Sequence, residues 1–282
     1  MRKSRLLLSL SATAITVALF VFTAACHKKA DDSLTNADDN GGYASDNVKM
    51  EQNSNDVVSM ADVAAATNSG SGLRTTGTTL GGCATVTRSV TGGGDSLLTI
   101  TFTAGCTCAD GKIRSGSIVV QYSGRYKDSG STHTITYDNY FVNGNQLSGI
   151  KTVTNMGTNS SGQVYYTVNV NDTLNLGTGN GEVVWSGTRT RTWLTGYSTS
   201  DRTDDSYLIS GTTTLTRANG NKFVMQITTP LQIAYNCAWI EAGVVSVTGP
   251  LGGVRTLNYG NGNCDSEAEL TIGSHTYNIT LK

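Results

Sequence analysis

From Gly82 to the end of the chain, apolar and polar side chains alternate with a period of two. In Gln163–Leu176, Val164, Tyr166, Val168, Val170, Leu174 and Leu176 share one face, and Asp172 is the single polar residue among them. In Lys222–Tyr235 the same face collects Phe223, Met225, Ile227, Leu231, Ile233 and Tyr235. Ile118, Val120 and Tyr122 continue the pattern, as do Ile135, Tyr137 and Phe141, then Val183, Trp185 and Trp193. Successive side chains of a strand point to opposite faces, so this alternation predicts strands with one buried and one solvated side. About thirteen candidate strands can be counted, many near ten residues long. Their connections are short and rich in Asn-Gly pairs, as in Asn143-Gly144-Asn145, Asn180-Gly181 and Asn219-Gly220-Asn221. Such turns join antiparallel neighbours, because parallel strands need a crossover of roughly a dozen residues. The expectation is an all-β fold, residues 82–282 forming one antiparallel meander. A sheet this wide must curl or fold over itself to hide its apolar face, as a strongly curved sheet, an open barrel or a sandwich.

The N-terminal part reads differently. Arg2, Lys3 and Arg5 precede an apolar run from Leu6 to Phe22, which closes at Thr23-Ala24-Ala25-Cys26. A short apolar run between basic and small residues predicts a signal peptide over 1–25 rather than a spanning helix. The small pair before Cys26 resembles the lipobox of bacterial lipoproteins, in which the peptide is removed and the Cys sulfur is acylated. Thr23 stands where that motif usually has Leu. The alternative is an ordinary secretory signal with Cys26 unmodified. Two or three acyl chains, at about 0.8 kcal/mol per buried CH₂, make a stable anchor where one is marginal. Beyond Cys26, the leader His27-Lys28-Lys29-Ala30-Asp31-Asp32 resembles the export tag of surface lipoproteins of Bacteroidota, and reads equally as a solvated charged stretch. Residues 26–81 are expected to be a flexible linker, rich in Asp, Asn, Ser and Gly. One island, Val57 to Ala66, carries Val57, Met60, Ala61 and Ala64 at helical spacing behind Asp56, enough for one or two turns.

Composition narrows the classes. The 282 residues include 33 Gly, only 2 Pro and 15% charged side chains, with 20 basic against 21 acidic groups. The Pro content excludes a Pro-rich or collagen-like chain. A formal net charge of -1 without a basic stripe gives no footing for nucleic acid.

Two stretches echo one another. Cys83 is followed by a hairpin and then by Phe102-Thr103-Ala104-Gly105-Cys106, with Asp110 close behind. Cys237 is followed by a hairpin and then by Tyr259-Gly260-Asn261-Gly262-Asn263-Cys264-Asp265. Each Cys pair brackets one hairpin. An envelope setting permits disulfides, and the echo predicts Cys237–Cys264 together with Cys83 paired to Cys106 or Cys108. Each bond closes a loop of roughly 23 to 28 residues and contributes about 3 kcal/mol in the chain-entropy picture. The remaining thiol is expected to be buried or unpaired. A Cys-x-Cys metal site lacks enough neighbouring ligands, and no metal or cofactor is expected.

The remaining chemistry-bearing residues are few and scattered along the chain. His27 lies in the leader, while His133 and His275 read as surface or capping residues. No nucleophile elbow, zinc-binding helix, P-loop or dinucleotide fingerprint occurs. Asp201, Asp204 and Asp205 cluster as a calcium-capable or simply solvated loop. Glu182, Glu241, Glu267 and Glu269 are thin material for a glycosidase pair. Arg189 and Arg191 share a face with Trp185 and Trp193, which suggests a cation–π ladder on a sheet face, read as cross-strand structural pairing with a ligand platform as the alternative. Asp32-Ser33-Leu34, Asp95-Ser96-Leu97 and Asp172-Thr173-Leu174 resemble Bacteroidota O-glycosylation acceptors.

Taken with the leader and the two Gly-to-Cys blocks, the chain resembles all-β lipoproteins of Bacteroidota. That resemblance implies a cell-envelope setting, with no catalytic residue to transfer. The expected function is a non-enzymatic structural or binding domain, held in the bacterial outer membrane by its lipid anchor and facing either the medium or the periplasm, the cell surface being the preferred side, with a glycan, lipid or protein as ligand. The alternatives are a carrier holding a hydrophobic ligand in an open half-barrel, and a glycan-active or hydrolytic enzyme with an atypical site.

Overall fold

The structure, a computed structural model, describes residues 42–66, 82–90, 96–177, 181–199 and 201–281. The signal segment 1–25, Cys26, His27, the leader to Asp32 and the Asp32-Ser33-Leu34 motif lie outside the described residues. One helix, α1 (Gly42–Ala66), precedes thirteen strands. These are β1 (Ala84–Val90), β2 (Ser96–Thr107), β3 (Ile113–Tyr122), β4 (Thr132–Val142), β5 (Asn145–Thr158), β6 (Val164–Asn175), β7 (Glu182–Thr195), β8 (Ser206–Arg217), β9 (Lys222–Ala234), β10 (Ile240–Thr248), β11 (Val254–Asn261), β12 (Glu267–Ile272) and β13 (His275–Thr280). Every strand pairs antiparallel with its sequence neighbours in a single sheet of order β1 to β13, which does not close on itself.

The alternation read from the sequence sets the two faces. Along β6, Val164, Tyr166, Val168, Val170, Asp172 and Leu174 are buried, while Asn169 and Asn171 between them are exposed. In β9, Phe223, Met225, Ile227, Leu231 and Ile233 point inward. Each fully buried Leu, Ile or Phe contributes about 1.5–3 kcal/mol relative to an exposed one. Asn143 and Gly144, with φ of 50° and 80°, make the tight turn between β4 and β5 that the Asn-Gly pair predicted.

The sheet curls around α1. Side chains from β1 (Arg88), β3 (Arg114), β5 (Lys151), β7 (Arg189), β9 (Phe223) and β11 (Arg255) all reach this one helix. Of the α1 side chains described, only Ser45 is exposed. Mid-strand glycines permit the curvature: Gly187 in β7 and Gly211 in β8 have φ of 151° and 119°. A Cβ on either would run into the facing carbonyl, of Thr212 and Thr188 respectively.

Residues 42–66 therefore correct the expectation of a flexible linker over 26–81, and the island at 57–66 is the last part of a 25-residue helix. The physical reason lies in the surroundings. A helix packed against one surface needs an apolar stripe, whereas one enclosed on all sides does not. Tyr43, Val48, Met50, Val57, Met60 and Val63 are spread around α1 and all are buried.

Candidate functional site

Enclosing a polar helix requires partners for its charges. Asp46, Glu51, Asp56 and Asp62 are five, five and six residues apart, so at about 100° per residue each carboxylate is turned roughly 140–240° from the one before. Each meets a basic side chain from the surrounding strands or, for Asp62, from the β7–β8 connection. Asp46 faces Arg217 at 3.0 Å, Glu51 pairs with Arg189, and Asp62 pairs with Arg202. Asp56 takes Arg114 at 2.5 Å and Lys112 at 2.9 Å. Arg114 also donates to both carboxylate oxygens of Asp110, at 2.7 and 2.6 Å. Burial works to raise the Asp110 carboxyl, but the hydrogen bonds and charge of Arg114 leave it below its ordinary value. At the end of α1, Arg88 donates to the carbonyl of Ala64, where the helix dipole is negative.

Near the middle of α1 lies a cleft of about 410 Å³. Gln52, Asn55, Asp56 and Ser59 line it from the helix; their i, i+3, i+4, i+7 spacing places them on one face. The opposite walls come from three connections. Asp110 and Lys112 lie between β2 and β3 or beside it, Thr203 lies between β7 and β8, and Asn236 to Trp239 lie between β9 and β10. In an antiparallel meander the first of these connections sits at the opposite margin from the other two. They meet over α1 because the sheet coils as it curls. Arg191 and Tyr207 complete the floor. The Arg191 guanidinium lies 3.6 Å above the Tyr207 ring, and its Nη2 is 3.4 Å from Ser59 Oγ.

Of Arg189 and Arg191, expected to pair with aromatic rings across a sheet, Arg191 does so with Tyr207 of β8, whereas Arg189 meets Trp185 of its own strand β7, both on the buried face. Arg189 lies 5.3 Å from the Trp185 ring centre. Cys83 bonds Cys106 and Cys237 bonds Cys264, with Cα separations of 5.6 and 5.7 Å; Cys108 is buried and unpaired. Each bond brackets a hairpin, β1–β2 and β10–β11, as the echo predicted. His275 is exposed. His133 is not a surface residue: it is buried between Tyr122 and Tyr126, and burial lowers its proton affinity against the pull of Asp62.

The three aspartates of the β7–β8 connection have separate commitments. Asp201 accepts from the amide and hydroxyl of Thr203, which lower its proton affinity. Asp204 accepts from the Thr199 hydroxyl. Asp205 is buried, accepts from Tyr207 at 3.3 Å, and is pushed up to about 6 by that burial, with Arg202 pulling the other way. Glu241, Glu267 and Glu269 line a second cleft of about 540 Å³ over β10–β13, and Glu182 stands apart at the start of β7. Among the described residues one group of His, Cys, Asp or Glu has ligand-like spacing, Cys237, Glu241 and Cys264, and its sulfurs are joined in a disulfide.

Neither α1 nor Gln52 and Asn55 entered the sequence reading as site elements, and a helix without an apolar stripe leaves no periodic signal to find them by. No family model matches the chain, and no curated protein or solved structure is similar to it.

Proposed function

We propose that this chain is a lipid-anchored lipoprotein of the bacterial outer membrane, facing the cell surface, whose β body is a non-enzymatic binding domain. The observation that carries a binding reading is the use to which the interior charges are put. Four helix carboxylates are each engaged by a basic side chain of the β body, which holds α1 in place, while one cleft beside α1 stays open. The carrier alternative needs an apolar concave face free for an acyl chain, and here that face packs on α1. The anchor rests on Cys26 and the segment before it.

Radiolabelled palmitate is expected to enter the wild type and not Cys26→Ala, and equal labelling of both would remove the anchor. Proteolysis of intact cells is expected to clip the β body, and full protection in intact but not lysed cells would place it on the inner side.

A further inference from the structure

Arg191 and Arg255 are the two buried interior cations with no carboxylate paired to them among the described residues, and of the two only Arg191 lines the cleft. Its side chain is only 2% exposed, yet Nε and Nη1 have no hydrogen-bond partner among the described residues. The two acids lining the cleft are already matched, Asp56 by Arg114 and Lys112, and Asp110 by Arg114. Asp62, whose charge also reaches Arg191, is paired with Arg202. Asp205, the other carboxyl nearby, takes the Tyr207 hydroxyl. Arg191 is therefore a cation in the cleft lining with no carboxylate paired to it among the described residues, in a place where an unmatched charge is costly. Two further donors of the cleft lining are buried without partners, Asn55 Nδ2 and Gln52 Nε2, both on the α1 face that lines the same space.

We propose that this cleft binds a small ring-bearing monocarboxylate, with Arg191 taking the carboxylate and Asn55 and Gln52 donating to it or to adjacent hydroxyls. The inference rests on the reading of the β body as a binding domain, and it names the class of ligand. The planar guanidinium fork matches two carboxylate oxygens. A single lining guanidinium without a carboxylate of its own suits a monoanion better than a phosphate dianion. Trp239 and Tyr235, both half-buried in the cleft wall, offer aromatic surface to the body of a ring. A volume of about 410 Å³ lies in the range of small-molecule sites. A uronic acid has this shape and charge.

The test is calorimetric titration of the purified full chain in detergent with glucuronate, with glucose and inorganic phosphate alongside. Glucuronate is expected to bind, and glucose to bind roughly tenfold to hundredfold more weakly, the usual worth of a charge-assisted hydrogen bond. Arg191→Gln should lose glucuronate binding by a similar factor. Should that variant not fold, as judged by circular dichroism, the double variant Gln52→Ala/Asn55→Ala decides, with severalfold weaker binding expected. Absence of glucuronate binding, glucose or phosphate binding as tight as glucuronate, or unchanged affinity in the folded variants would each overturn the proposal. The titration does not involve the anchor, so failure of palmitate labelling at Cys26 and failure of the cleft are separate results.

Discussion

Lys151 and Asp172 face one another across β5 and β6 at 3.1 Å, both sealed from solvent on the inward side of the sheet. They are diagonal neighbours, since Lys151 stands opposite Val170 in the ladder. Tyr137 donates a second hydrogen bond to Asp172 at 3.3 Å, and Lys151 also reaches the Ser54 carbonyl of α1 at 3.5 Å. Burial pushes the Asp172 carboxyl up, and Lys151 pulls it back toward the charged form.

A buried charge left alone costs more than a buried pair gains. Lys151→Met is expected to destabilise the fold by about 3–5 kcal/mol, and Lys151→Met/Asp172→Leu to recover most of that loss. Urea denaturation of the two variants beside the wild type measures it. A double variant no more stable than the single would show that the apolar exchange itself does the damage.

The same logic applies between helix and sheet. Glu51→Ala leaves Arg189 with its Thr213 hydrogen bond and the Trp185 ring but no carboxylate. A loss of about 3–5 kcal/mol is expected, together with faster proteolytic cleavage within 42–66. Wild-type resistance of that segment in the variant would mean that α1 is held by its apolar contacts alone.

Asp205 gives a pH dependence whose sign follows from its surroundings. Its folded pKa of about 6 lies above the ordinary aspartate value of about 3.9. The protonated form is the one the fold favours, so the contribution is complete below pH about 4 and is lost as pH rises through about 6. Asp205→Asn mimics the neutral form. Relative to that variant, the wild type should lose on the order of 1 kcal/mol between pH 4 and pH 7. Parallel stability profiles for the two proteins would contradict this.

The sheet was legible because it has one dry face and one wet face. Strict alternation marked the inward residues of β6 and β9, and Asn-Gly turns marked how neighbours join. Asp172, the polar exception in its apolar row, was visible as an exception, but its partner on β5 was not. The echo between the Cys83 and Cys237 stretches carried the disulfide pairing as far as the choice between Cys106 and Cys108, which the backbone settles for Cys106. The helix was illegible beyond Val57–Ala66, because its buried positions include Asp46, Asn47, Glu51, Ser54 and Asp62, which interrupt the apolar stripe by which helices are read. The cleft followed the helix into obscurity: Gln52 and Arg191 are 139 positions apart, and nothing local ties them together.

The enclosed position of α1 also fixes how the body meets mechanical load. Fifteen residues separate Cys26 from Gly42, a span of at most about 55 Å when fully extended. Any pull on that segment enters the body through Gly42, the half-buried first residue of α1, and not through the edge strand β1. Strands from β1 to β11 grip α1, so the force is shared among them and the ladder is not unzipped one strand at a time.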